Sequence, residues 1–152
     1  MDEFCRLVES QKLIRNSMRT NVHPDQPMRI DKNGTKWLAR GPYSNSYSSG
    51  PLVEKAQEWF PQCNAVCVNR KSADSPPMAR HKDRRNKLPE SHVLIWGDFP
   101  ENEGAIIVEN ASGTEERLTE RTVWHTREFA KQWHRVEPHT AGVRWSAIAF
   151  TR

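Results

Sequence analysis

Three side chains in this sequence have the types and spacing to hold one cation: His81, Asp83 and His134. In an extended segment, residues i and i+2 point to the same side, so His81 and Asp83 offer an imidazole and a carboxylate to one point. His134, in QWHRVEP, arrives from beyond several strand-like segments. Two histidines and a carboxylate on one face of a metal leave the opposite positions open, which is the ligand set of non-haem iron(II) sites that take O2 and a co-substrate. His-x-Asp alone arises readily by chance in a chain with six histidines. His125 and His139 are rival third ligands. His139 leaves little chain to turn before Arg144, and His125 precedes a turn-like segment, so His134 is favoured. His92 opens a strand-like segment and reads as structural; His23 has no partner that can be named.

A second feature strengthens the first. In GVRWSAIAF, Arg144, Ser146, Ile148 and Phe150 alternate onto one face of a strand. An inward arginine in an apolar strand is costly unless it meets an anion. A guanidinium grips a carboxylate bidentately, and Ser146 can add a hydroxyl hydrogen bond.

These residues need elements to position them. Residues 2–18 carry Phe4, Leu7, Val8, Leu13 and Ile14 at roughly helical spacing. Residues 19–51 read as irregular, with a DKNG turn signal and a run, GPYSNSYSSGP, that reads as a flexible loop. Tyr43 and Tyr47 within it are as suited to surface packing as to reaching a ligand. Residues 52–60 predict a short helix ended by Pro61. Strands follow at 63–69, 92–99, 104–110 and 143–150, with one or two short ones in 117–125 and a turn or helical segment in 127–133. Helices first and strands after imply a mainly β (α+β) chain: a β core with N-terminal helices packed against it. One domain over residues 1–152 is expected, with 1–60 as support and 61–152 as the core. Segments 41–51 and 71–78 are expected to be mobile.

Composition sets outer limits. With 152 residues, 36% hydrophobic and 28% charged, the chain suits a single modest core. No stretch approaches the roughly 18 apolar residues of a membrane helix, and MDEFCRLVES lacks the apolar region of a secretory signal. The three cysteines, Cys5, Cys63 and Cys67, form no disulfide framework and suggest an intracellular, reducing setting. They read as small buried hydrophobes. The six tryptophans read mostly as core, with one available to stack on a base. Net charge is +4, compatible with a polyanionic partner. Arg80, Lys82, Arg84, Arg85 and Lys87 crowd into RHKDRRNK, around the His-x-Asp pair itself. Such a run is usually a solvated face, but at the mouth of a site it would attract a phosphate backbone.

The order HKD, QWHRV, GVRWS resembles the Fe(II)/2-oxoglutarate-dependent dioxygenases over about residues 60–152. VLIWGDFPENEGAIIVE is most similar to the ten-eleven-translocation/J-binding-protein branch, which oxidises the methyl group of thymine or 5-methylcytosine. FPQCNAVCVNRKSADSPPMARHKD also looks like the AlkB-type nucleic-acid demethylases, in which an Asn-x-Tyr precedes His-x-Asp. Asn69 matches that Asn, and Lys71 stands where the aromatic would be. The resemblance implies a double-stranded β-helix (jelly roll) and Fe(II) held by His81, Asp83 and His134. It implies 2-oxoglutarate as co-substrate, contacted by Arg144, Ser146 and Asn69, with O2 consumed and succinate formed. Together with the basic run, it implies a methylated nucleobase in DNA or RNA as substrate. The alternatives are hydroxylation of a peptide side chain or small molecule, and a β-helix that binds nucleic acid without catalysis.

Overall fold

The structure is a computed structural model that describes residues 1–15, 28–30, 32–34, 36–38, 43–75 and 77–152. Helix α1 (Asp2–Glu9) precedes strands β1 (Ile14–Arg15), β2 (Met28–Ile30), β3 (Lys36–Leu38) and β4 (Tyr43–Tyr47), and helix α2 spans Pro51–Trp59. Eight strands follow: β5 (Ala65–Ser72), β6 (Met78–His81), β7 (Ser91–Gly97), β8 (Ile106–Glu109), β9 (Glu115–Leu118), β10 (His125–Arg127), β11 (His134–Val136) and β12 (Val143–Phe150).

These eight strands wind between two antiparallel sheets. One sheet has the order β1-β4-β5-β12-β7-β10 and the other β6-β11-β8-β9. The chain passes from β5 to β6 to β7 to β8 and so on, changing sheet at almost every step, which is the double-stranded β-helix. A separate hairpin joins β2 to β3 around the turn containing Gly34.

Period-2 alternation gives the larger sheet two different faces. Val66 and Val68 of β5, Leu94 and Trp96 of β7, and Ala147 and Ala149 of β12 point outward into a core closed by Phe4 and Val8 of α1 and Leu52, Val53 and Ala56 of α2. Val93 and Ile95 point the other way. They meet Met78, Ile106, Val108, Leu118 and Val136 of the smaller sheet. The predicted N-terminal helices are therefore the cover of one sheet face, and the gap between the sheets is left for a site.

Two expectations are corrected. The helix read over 2–18 stops at Glu9. There the Ser10 hydroxyl and the Gln11 side-chain amide both donate to the Leu7 carbonyl, taking up the helix end. Ile14–Arg15 instead pairs with β4; residues 16–18 lie outside the described residues. The loop read over 41–51 contains β4, paired with β5 at all five positions, because strand pairing overrides the weak strand preference of Ser and Asn. The part of that loop at 41–42 lies outside the described residues. Segment 71–78 begins as the end of β5 and turns where the Ser72 hydroxyl donates to Asp74 and the Ser75 N–H to the Ser72 carbonyl.

One clasp sets where β12 begins. Asp98, in the turn after β7, accepts the Val143 N–H at 2.7 Å. Gly142, at φ +76°, lies so close that a Cβ there would stand 2.6 to 2.9 Å from Asp98 atoms, two of them backbone. Asp98→Ala is expected to cost about 1–2 kcal/mol through the lost hydrogen bond. Gly142→Ala should cost about 1–3 kcal/mol through strain. Urea unfolding of each variant checks both values.

Two buried histidines link the fold to pH. His92 stacks on Phe60 at 3.6 Å and shares a 2.6 Å hydrogen bond with Thr126 Oγ1. His139 packs beside Phe99. Burial, which disfavours the imidazolium, holds both below the usual 6.5. As pH falls, the unfolded chain protonates these rings first, so stability present above about pH 6.5 is lost below it. The Tm of the metal-free protein should fall between pH 7 and pH 5. The slope should be shallower in a His92→Gln/His139→Gln double variant, as calorimetry can show.

Candidate active site

Between the two sheets lies a cavity of about 510 Å³. One wall is the inner face of the larger sheet. Register aligns its side chains in rows: Ser44, Asn69 and Ser146 in one row across β4, β5 and β12, and Cys67 and Ile148 in the next. Lys71 and Arg144 form a third row. All of these line the cavity, and Met78, Ile106 and Val136 line it from the smaller sheet.

Toward the open side, His81 and His134 pair across β6 and β11, and Asp83 follows β6 directly. The ligand atoms of His81, Asp83 and His134 lie within 4.8 Å of one another. His81 Nε2 is 3.5 Å from Asp83 Oδ1, and His134 Nε2 is 3.5 Å from Oδ2. On the far side of each ring, Nδ1 lies 2.7 Å from the Ala79 carbonyl (His81) and 2.9 Å from the Gln132 carbonyl (His134). A carbonyl only accepts, so each Nδ1 carries the proton and each Nε2 turns a lone pair toward Asp83. The Asp83 N–H donates to the Phe129 carbonyl, and the Phe129 ring packs edge-on against His134. Two imidazole lone pairs and a carboxylate, oriented from behind and facing one point, fit a divalent iron.

The rival ligands are accounted for elsewhere. His125 Nε2 meets the Glu120 carbonyl at 2.8 Å, and His139 Nε2 lies 3.3 Å from the Gly142 carbonyl. His92 is held by Phe60 and Thr126, and His23 lies outside the described residues. Tyr43 and Tyr47 are on the outer face of β4. Tyr43 stacks under Arg70, and Tyr47 packs on the helix-covered core.

At the inner end, Arg144 is 2% exposed. Its Nε donates to the Gly104 carbonyl at 2.8 Å, and its Nη2 is buried without a hydrogen-bond partner. No ion pair to Arg144 is found among the described residues. Burial lowers the guanidinium to about 10, so it stays charged at neutral pH. Gly104 makes room for it: at φ +66°, a Cβ there would stand 3.0 Å from Arg144 Cδ. The orphan Nη2 and this cradle fit the carboxylate of a bound dicarboxylate.

The basic run divides. Arg80 is held by Glu109 through two hydrogen bonds of 2.7 and 2.8 Å. On or beside the same sheet, Arg117 pairs with Glu137, Arg127 of β10 with Glu116, and Arg135 with Glu115. Lys82, Arg84, Arg85 and Lys87 make no ion pair among the described residues. Lys82 and Arg84 lie over the Trp133 ring at 4.9 and 5.6 Å, and Arg85 and Asn86 reach the cavity lining. Sequence reasoning missed Trp133 as part of this patch and Lys71 as a cavity residue. Position next to His134 was the available signal for the first, and the i+2 relation to Asn69 for the second.

No family model and no curated protein matches this sequence. Solved structures do. The viral collagen prolyl hydroxylase of Paramecium Bursaria Chlorella virus-1, in complex with 2-oxoglutarate, aligns over 99% of this chain and 90% of its own. The TM-score is 0.60 and the identity 11%. A 2OG-Fe(II) oxygenase family oxidoreductase from Burkholderia pseudomallei aligns over 98% and 89%, with a TM-score of 0.55 and 12% identity. NgTET1 in complex with 5mC DNA aligns over 59% of this chain, with a TM-score of 0.49 and 18% identity; the chain spans 34% of that protein's length. The chain thus has the double-stranded β-helix fold found in 2OG-Fe(II) oxygenases over nearly its whole length.

Proposed function

We propose that this protein is an Fe(II)- and 2-oxoglutarate-dependent dioxygenase that oxidises a methylated nucleobase, of 5-methylcytosine or thymine type, in DNA or RNA. The observation that carries the reading is a single cavity with His81, Asp83 and His134 on one side and the uncompensated guanidinium of Arg144 at its inner end. Iron(II) and 2-oxoglutarate, when bound, supply O2 activation coupled to succinate formation and oxidation of a substrate C–H bond.

The chain's own residues do the rest. The Ala79 and Gln132 carbonyls hold the two histidine tautomers. Arg144 orients the far carboxylate of the co-substrate, with Ser146 and Asn69 beside it as polar contacts. Phe129, Val93 and Ile148 give the cavity apolar walls that limit water. Outside, Lys82, Arg84, Arg85 and Lys87 present positive charge to a phosphate backbone, and Trp133 supplies an aromatic face among them. The target base must be extruded or single-stranded to reach the cavity. The free cysteines suit a reducing, intracellular setting: burial pushes the Cys5 thiol up to about 11, away from reactivity. Among the described residues no helix is long and apolar enough to cross a membrane.

A second reading, hydroxylation of a peptide side chain, is favoured by one observation: a collagen prolyl hydroxylase is among the solved structures that align over nearly the whole chain.

Titration of Fe(II) and 2-oxoglutarate without oxygen should produce a weak visible metal-to-ligand band in the wild type. His134→Ala should abolish it and Arg144→Ala weaken it. A folded wild-type protein without the band overturns the oxygenase reading. For the substrate, affinity for a single-stranded oligonucleotide bearing 5-methylcytosine should fall with salt at a log–log slope of about −3, as expected for roughly four phosphate contacts. Arg85→Glu should flatten that slope. Salt-independent or absent binding, with succinate released on adding a proline-rich peptide, favours the second reading.

A further inference from the structure

The segment that carries His81 and Asp83 has a second face. Residues i and i+2 of an extended chain share a side, so Arg80 and Lys82 stand opposite to His81 and Asp83, on the outside of the smaller sheet. There they meet Trp133, the chain neighbour of His134. Arg80, Lys82 and Arg84 lie over its ring at 4.0, 4.9 and 5.6 Å from the centroid. Three cations gathered on one indole repel one another, and the ring quadrupole offsets part of that cost. Glu109, the acid beside them, commits both carboxylate oxygens to Arg80 at 2.7 and 2.8 Å. Lys82 acts on Glu109 only through space, and neither Lys82 nor Arg84 has a salt bridge among the described residues. Trp133 and Lys82 are half-buried and Arg84 is exposed. The comb of cations is thus fixed at its root, open at its tip and short of negative charge.

We propose that Trp133 is a pedestal that gathers Lys82 and Arg84 into a clamp for one backbone phosphate of a single-stranded nucleic acid. That the bound strand carries the oxidised base rests on the function proposed above; the clamp itself rests on the packing of three cations over one ring. The Arg84 guanidinium supplies a planar fork and the Lys82 ammonium a point charge, and a phosphate has oxygens for both. Holding two flexible side chains against the indole before the ligand arrives lowers the ordering cost of binding. Trp133 is then a positioning residue and not a platform on which a base stacks, because Arg80 already covers the ring at 4.0 Å. The clamp also sets a path. Arg85, next in the chain after Arg84, lines the cavity, so a strand gripped outside the sheet is led toward the cavity.

Binding of the full chain to a single-stranded oligonucleotide bearing 5-methylcytosine, followed by fluorescence anisotropy across a salt series, tests this. Trp133→Leu removes no charge, yet it should weaken binding about fivefold at low salt. It should also flatten the log–log slope by about 0.7, the loss of one phosphate contact on a single strand. Trp133→Phe should fall between, since Phe holds cations less strongly than Trp; it also carries the test if Trp133→Leu does not fold. Lys82→Met should cost less in the Trp133→Leu background than in the wild type. Weaker binding at an unchanged slope makes Trp133 a base-stacking surface and overturns the clamp. Unchanged binding in a folded Trp133 variant overturns it too, as does an equal cost of Lys82→Met in both backgrounds. In these three cases a salt-dependent wild type leaves the nucleic-acid reading standing. Equal competition by a glutamate-rich peptide of the same charge assigns the patch to an acidic protein segment and overturns the clamp. A wild type that binds no oligonucleotide overturns both readings.

Discussion

A buried guanidinium without a carboxylate partner among the described residues is the constraint around which this fold is arranged. Arg144 lies buried at the inner end of the cavity between the two sheets, and a buried charge costs several kcal/mol unless it is paired. The protein meets this cost only in part, through one hydrogen bond from Nε to the Gly104 carbonyl. The surroundings leave Nη2 without a hydrogen-bond partner. Gly104 lacks the Cβ that would press on the side chain, and the Asp98–Val143 bond with Gly142 fixes where β12 starts and so which row of the sheet Arg144 occupies. A one-residue slip in that clasp would send Arg144 into the helix-covered core and bring Trp145 into the cavity.

The same alternation separates stability from chemistry within single strands. On β12, Ala147 and Ala149 pack under α1 and α2, while Arg144, Ser146 and Ile148 face the cavity. On β5, Val66 and Val68 serve the core, and Cys67, Asn69 and Lys71 the cavity. The inner-end side chains are therefore carried by the most extensively paired strands among the described residues, with Gly104, in the loop before β8, bonded to Arg144. The histidine cluster uses shorter strands, but its geometry is over-determined from behind by two backbone carbonyls and by the Phe129 ring.

What could be read from the sequence follows from this division. The period-2 pattern of β12 is long and unbroken, so its bounds and its inward arginine were legible, and the i, i+2 spacing of His81 and Asp83 needed only an extended backbone. The polar strand β4 was not legible: Tyr-Ser-Asn-Ser-Tyr has turn chemistry locally, and only pairing with β5 makes it a strand. Nor was β11, three residues long, distinguishable from the turn before it. The helix read past Glu9 failed for the opposite reason. Leu13 continues the apolar pattern, but the pattern cannot register that Ser10 and Gln11 have already taken up the helix end. Lys71 was visible as a departure from a family pattern, yet only the register shows that it stands opposite Arg144.

Fold and cavity are shared by oxygenases with different substrates, so they do not select one; the distribution of charge does more. Four arginines on or beside the smaller sheet, Arg80, Arg117, Arg127 and Arg135, are matched by Glu109, Glu137, Glu116 and Glu115. Such exposed pairs add little to stability, but they cancel the field over the face that carries them. The chain's net positive charge is then expressed by the groups left without such partners among the described residues, and four of these fall between positions 82 and 87, on the segment that carries Asp83. A field concentrated at the opening of a low-dielectric cavity raises the local concentration of anionic partners and the rate at which they arrive. Neutralising one face while leaving residues 82–87 charged thus concentrates the positive potential on the segment that carries Asp83.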